Sequence, residues 1–100
     1  MRRGTTPTIS VDLDFDTDEA QEVWFTIKQG KTEITKEKGD IIKTDNGFEV
    51  TLTQSETLEL DENGPACMAQ VRILTPEGKA IASNVVYIDV EQILKDGVIA

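Results

Sequence analysis

One stretch of strict alternation constrains the fold of this chain more than any other. Residues 22–30 read EVWFTIKQG, which places Val23, Phe25 and Ile27 on one face and Trp24 among polar side chains on the other. A period of two is typical of a β-strand with one buried side and does not fit a helix. Burial of each of the three aligned apolar side chains contributes roughly 1.5 to 3 kcal/mol. We therefore expect a central strand on which the other strands assemble.

The same alternation recurs along the whole chain. Alternating or β-branched runs occur at 8–15, 32–38, 41–42, 48–52, 67–73 and 80–86. About seven strands, joined by short turns and with almost no helix, predict an all-β fold, an immunoglobulin-like antiparallel β-sandwich. A partly open barrel is the alternative. The cysteine pair of immunoglobulin domains is missing, because Cys67 is the only cysteine.

Length and composition indicate one small domain. A chain of 100 residues buries a single core, and 38% hydrophobic with 29% charged residues predict a thin core between two solvated layers. We assign residues 8–100 to this domain and expect residues 1–7 to form a flexible N-terminal lead. Residues 89–97 fit either a short C-terminal helix or a docked tail.

Turn sequences predict how two of the hairpins pair. A loop at Gln29 and Gly30 sets Ile34 opposite Phe25 on the buried face. The last hairpin contains TPEG at 75–78, which fits a type I turn with proline second and glycine fourth. With this turn, the numbers of any two residues that face each other across the hairpin sum to about 153. This register turns an amide, that of Asn84, toward the buried face. It must either bond to a neighbouring loop or be turned outward by a bulge.

The turn at residues 45–47 has two interpretations. A two-residue turn at Asn46 and Gly47 sets Lys43 against Val50. A three-residue loop with Gly47 in the left-handed conformation sets Ile42 there instead, and we favour this second register.

A short helix is predicted after the central strands. The segment TQSE at 53–56 has the spacing of a capping box, in which the hydroxyl of Thr53 and the carboxylate of Glu56 each satisfy a free backbone N–H. One helical turn through Leu58 should follow.

Charge and residue usage exclude several classes of function. The net charge of -9 opposes contact with nucleic acid and with anionic membrane surfaces. The absence of histidine removes the usual imidazole base, and the scattered glycines form no phosphate-binding loop. We expect a protein that is not an enzyme and needs no cofactor, with Cys67 as a small core residue.

One acidic segment has the composition of a cation site. Carboxylates alternate along it, and calcium prefers several oxygen ligands at short spacing. The glycine and glutamate positions of an EF-hand loop are not matched, so a solvated acidic surface is the alternative. The residues concerned are Asp12, Asp14, Asp16, Asp18 and Glu19.

Trp24 lies on the face opposite the predicted core, so something else must cover it. Cover by an apolar C-terminal tail at 93–99, a protein interface and a sugar-stacking platform are the three alternatives. Other apolar residues on the outer side of the last hairpin and at the chain end raise the same question. With Trp24, the predicted interface residues are Met68, Ile81, Val85, Tyr87, Val98 and Ile99.

Several short segments of the sequence resemble segments of known proteins. They are RGTTPT at 3–8, LTQSET at 52–57, VR at 71–72, ASN at 82–84 and LKDGVI at 94–99. The chain resembles small phage and prophage proteins of Gram-positive bacteria that are encoded among tail genes. It is similar to the immunoglobulin-like N-terminal domain of baseplate upper proteins.

The resemblance implies a structural or assembly subunit of a phage tail or baseplate. Its partners would be other tail or virion proteins or further copies of the chain. It would be made in the host cytoplasm and then carried in the virion. The alternative from the residues is a small module for cell-surface glycans, assisted by calcium at the acidic segment or stacking on Trp24.

Overall fold

The computed structural model describes residues 1–13, 18 and 20–100. Within these residues the chain forms eight strands, one short α-helix and a 3₁₀ turn at Lys38–Asp40. Connections are short, as expected for an antiparallel sheet protein. The elements are β1 (Thr8–Asp12), β2 (Glu22–Gln29), β3 (Thr32–Glu37), β4 (Ile42–Lys43), β5 (Gly47–Thr51), α1 (Gln54–Leu58), β6 (Cys67–Leu74), β7 (Ala80–Ala82) and β8 (Val86–Ile88).

The strands form two antiparallel sheets that pack as a sandwich. The three-stranded sheet has the order β1-β5-β4, and the five-stranded sheet has the order β3-β2-β6-β7, with β8 also paired to β6. These orders match strands B-E-D and C′-C-F-G of the immunoglobulin arrangement. The predicted fold class is therefore confirmed. An extra strand appears because the last predicted strand is divided into β7 and β8.

The core lies where the inner faces of the two sheets meet. Val23, Phe25 and Ile27 of β2 are buried as predicted, and Val71 and Ile73 of β6 pack beside them. The opposite sheet contributes Val11, Phe48 and Val50, and Leu52, Leu60 and Cys67 belong to the same cluster. The alternation of buried and exposed side chains along β2 and β6 is the direct cause of this layer.

The pairing of β2 with β3 is displaced by two residues from the predicted register. Ile34 is buried on the expected face, but it lies opposite Ile27 and not Phe25. Gln29 pairs with Thr32, so the loop consists of Gly30 and Lys31. Only Gly30 has a positive φ, of 59°, which is the pattern of a type II′ turn with glycine in the first central position.

Both predicted registers at the next turn are wrong. Ile42 pairs with Glu49 and Lys43 with Phe48, so the loop consists of Asp45 and Asn46. Gly47 belongs to β5 and has no positive φ. Glycine allows β5 to pack closely against β1 at this position, because a Cβ there would overlap the carbonyl oxygen of Val11.

The last hairpin turns where predicted, but with a register shifted by one residue. Gly78 has a φ of 84°, and the amide of Thr75 bonds to the carbonyl of Lys79. A type I turn followed by a left-handed glycine is a three-residue loop with a bulge, which adds one residue to the pairing. Ile73 therefore faces Ile81, and a shift of one residue exchanges the two faces of β7.

A bulge between β7 and β8 places Asn84 in solvent. Ser83 is buried in its stead, and its hydroxyl accepts a hydrogen bond from Val71 N at 3.0 Å and donates to Asn84 O at 2.9 Å. The side chain of Gln70 donates to the Ser83 carbonyl at 3.0 Å. Of the two alternatives for Asn84, the bulge is the one observed.

The N-terminal lead, for which we predicted a flexible segment, makes contacts with the domain. Arg2 forms a parallel bridge with Glu91. The guanidinium of Arg3 donates to the carbonyls of Leu58 and Leu60 and pairs with Asp96 at 2.9 Å. These bonds satisfy carbonyls at the end of α1 that have no helical partner. The C-terminal segment after β8 is a docked tail and contains no helix.

The predicted capping box begins α1. Thr53 Oγ1 accepts from Glu56 N at 3.1 Å, and the Glu56 carboxylate accepts from Thr53 N at 2.8 Å. Lys36 of β3 also donates to Glu56 at 2.9 Å. Partial burial acts to raise the pKa of Glu56, but the hydrogen bonds from Lys36 and Thr53 and the lysine charge outweigh it, so this pKa is lowered.

Replacement of Gly47 by alanine should destabilise the sandwich by about 2 kcal/mol or more, because the two strands must separate to admit the methyl group. The added Cβ would lie 2.8 Å from Asp12 Cα. Denaturant unfolding followed by circular dichroism measures this change. Gly39→Ala is the matched control, since nothing lies within 4 Å of its Cβ position. Equal stability of the two variants would contradict the close approach of β1 and β5.

Glu56→Gln should cost about 1 kcal/mol at neutral pH, because glutamine keeps the cap but loses the charge that pairs with Lys36. Since the folded pKa is lowered, this contribution is present above the ordinary value of 4.5 and is lost as the pH falls through the folded value. The difference from the parent chain should therefore shrink in acid. Glu59→Gln, which removes a carboxylate from an exposed position at the other end of the helix, is the matched control.

Candidate binding surface

The outer face of the five-stranded sheet carries the candidate site. Trp24 projects from β2 on the side away from the core and is 49% exposed. Its partner across the β2–β6 ladder is Arg72, whose guanidinium carbon lies 5.6 Å from the centre of the tryptophan rings. Such a cation–π contact is worth about 0.5 to 1 kcal/mol at an exposed position.

A groove of about 390 Å³ runs beside this pair. Leu74 and Ala80 line it together with Trp24, and Glu22 and Arg72 supply its charges. Neither charged side chain has an ion-pair partner within the part of the chain that the structure describes. The groove is therefore apolar at its base, with one unpaired cation and one unpaired anion.

The other predicted interface residues do not join this groove. Met68 and Tyr87 pair with each other at the far end of β6, six residues from Leu74, or roughly 20 Å at about 3.3 Å per residue. Val85 lies in the bulge and is exposed. The prediction that Ile81 lies on the outer side of the last hairpin is wrong, because the register shift turns its side chain toward the core, where it is half-buried.

Of the three alternatives for the cover of Trp24, cover by the C-terminal tail is not the one observed. The amide of Ile99 donates to the Gln54 side chain at 2.8 Å, and Gln54 donates back to the Ile99 carbonyl at 3.2 Å. The tail is thus tied to the start of α1. Leu94 is fully exposed, and Val98 and Ile99 are also exposed. These three apolar side chains are not part of the lining of the groove.

Sequence reasoning missed the charged residues of the groove. Arg72 is adjacent to Trp24 only because β2 and β6, which are 48 residues apart at this pair, meet in one register. Nothing local to either strand predicts that register. Alternation did indicate that position 72 faces away from the core, and that is the signal that could have found it.

The acidic segment falls mostly outside the described residues. Asp14, Asp16 and Glu19 are not among them, so the calcium prediction stays a prediction. Asp12 and Asp18 are described, and Asp18 pairs with Lys43 of β4. No group of three or more metal-ligating side chains occurs within residues 1–13, 18 and 20–100.

A second, polar concavity of about 660 Å³ lies near the N-terminal segment. Three of the four carboxylates that line it have partners among the described residues. Asp61 accepts from Asn63 N at 2.8 Å, Glu62 lies 3.6 Å from Arg3, and Glu91 pairs with Arg2. These contacts hold the loop after α1 and the chain ends together, so we assign the concavity a structural role.

No protein-family model, curated protein sequence or solved structure matches the chain. Among the described residues, none of the helical segments has the length and apolar character needed to cross a bilayer.

The only cysteine is a core residue. Cys67 begins β6 with 3% of its surface exposed and belongs to the hydrophobic cluster. Burial raises the pKa of its thiol above the ordinary value, so little reactive thiolate forms at neutral pH.

Cys67 should therefore react with a disulfide reagent such as 5,5′-dithiobis(2-nitrobenzoic acid) only when the sandwich opens. We expect slow, unfolding-limited colour release from the native protein at pH 8 and complete release within the mixing time in denaturant. Rapid stoichiometric release from the folded chain would contradict the buried position of the thiol.

Proposed function

We propose that the chain is a non-catalytic assembly subunit of a phage or prophage tail or baseplate that acts through protein–protein contacts. The contact surface is the groove beside Trp24 on the outer face of the five-stranded sheet. One observation carries the proposal: a half-exposed tryptophan is stacked with an arginine that has no carboxylate partner among the described residues.

The chemistry of this pair suits a protein partner. Tryptophan and arginine are enriched at the energetic centres of protein interfaces, where each supplies a large contact area with a polar handle. Arg72 holds one ring face and keeps its own N–H donors available to a partner. The placement in a virion is supported by the resemblance of RGTTPT, LTQSET and LKDGVI to tail-region proteins.

A catalytic role has little support in this surface. The charged groups at the groove are one glutamate and one arginine, with no histidine in the chain to serve as an acid or base. A glycan-binding module is the competing function, and calorimetry with oligosaccharides in the presence and absence of calcium separates the two. Heat of binding that disappears in Trp24→Gln would favour the glycan.

The tail assignment predicts that the chain is present in particles. Virions or tail particles released from the encoding host should contain it as a fixed component after density-gradient purification, measured by immunoblot or mass spectrometry. Trp24→Gln, supplied in place of the parent chain, should be depleted from particles about tenfold or more, because a central tryptophan contact is lost.

Thr35→Gln is the matched control. Thr35 is exposed on the same face of the neighbouring strand β3 and does not line the groove. It should enter particles normally. Absence of the parent chain from purified particles, or equal incorporation of Trp24→Gln and Thr35→Gln, would contradict the proposal.

A further inference from the structure

The C-terminal tail presents apolar side chains to solvent in a fixed geometry. Leu94 projects fully into water, and Ile99 is 82% exposed. Reciprocal hydrogen bonds with Gln54 hold Ile99 in place, and Arg3 pairs with Asp96 between them. A surface held rigid before binding loses little conformational entropy when it docks.

The tail and the groove both present apolar side chains, and each carries a charge that can pair with one on the other. The groove has an apolar base formed by Trp24, Leu74 and Ala80, with Glu22 at its rim. The tail places Lys95 directly after Leu94, and Lys95 has no ion-pair partner within the described residues. The apolar projection and its cation therefore match the apolar lining of the groove and the carboxylate of Glu22, while the guanidinium of Arg72 is stacked on Trp24.

The tail and the groove are anchored on opposite sides of the five-stranded sheet. Ile99 is tied to Gln54 of α1, and Glu56 of α1 pairs with Lys36 on the inward side of β3. The groove lies on the outer face, beside Trp24. A contact between the two surfaces therefore joins two copies of the chain.

We propose that the tail of one copy docks in the Trp24 groove of a second copy. Leu94 fills the apolar base, and Lys95 pairs with Glu22 of the neighbour. The contact is heterologous, since each copy offers a different surface at each end, so it generates a ring or a filament and not a closed dimer. This inference rests on the proposed function, because it names the partner of the same surface.

Sedimentation velocity over a concentration series in 150 mM salt tests the contact. The parent chain should exceed the mass of one copy, 11.0 kDa, as its concentration rises. Trp24→Gln and Leu94→Gln should each weaken association about tenfold or more. Tyr87→Gln is the matched control, because Tyr87 is exposed on the same sheet face but does not line the groove.

A mixture of the two defective variants distinguishes this contact from a symmetric one. Trp24→Gln retains an intact tail and Leu94→Gln an intact groove, so an equimolar mixture should form a species of two chains and stop there. Glu22→Lys should weaken association of the full chain, and Lys95→Glu added to it should restore association by exchanging the charges.

Three results would overturn the inference: a parent chain that stays monomeric at every concentration, unchanged association in Leu94→Gln, or a mixture that stays monomeric. The proposed function is scored separately by particle incorporation. A monomeric parent whose Trp24→Gln variant is depleted from particles retains that function and removes the second copy as the occupant. If Trp24→Gln loses self-association but enters particles normally, the contact between copies is retained and the proposed function is contradicted.

Discussion

The pairing of β2 with β6 is the interaction on which the rest of the structure depends. The two strands form an uninterrupted ladder from Glu22 with Leu74 to Gln29 with Cys67. Its inner side supplies half of the core, and its outer side supplies Trp24 and Arg72. Because successive side chains of a strand point to opposite faces, one register determines both sets. The hydrophobic layer and the candidate surface therefore have the same origin.

The alternation of apolar residues predicted which face of each strand is buried. It did not predict the register between strands, because the register depends on the geometry of the turns. The burial of Phe25 and Ile34 followed from their periodicity, but their partners did not. Left-handed glycines are the reason: Gly30 takes the first position of a two-residue loop and so moves that turn by one residue, whereas Gly78 lengthens the last hairpin loop to three residues. Gly47 is instructive in a different way, since the constraint on it is the carbonyl of Val11 on another strand. Such a contact between distant segments leaves no local pattern.

For the candidate surface, the sequence likewise predicted which face a residue lies on but not which residue lies beside it. Trp24 could be placed outside the core from its position between Val23 and Phe25. The sequence could not identify Arg72 as its neighbour, because that depends on a pairing between distant strands. The tail was one of three alternatives for the cover of Trp24, on hydrophobic grounds alone. The hydrogen bonds of Gln54 and the guanidinium of Arg3 direct it elsewhere, which shows that a few polar contacts can override an apolar preference in a short segment.

The pair between Lys36 and Glu56 has a consequence for aggregation. β3 is an edge strand of the five-stranded sheet, and Lys36 lies on its inward side, opposite Phe25. A foreign strand that stacked against this edge would bring apolar side chains against the lysine and would have to strip water from an ammonium group. Within the native chain that charge is met by the carboxylate at the start of α1. An inward charge on an edge strand is one of the devices by which sheet proteins discourage pairing with a foreign strand.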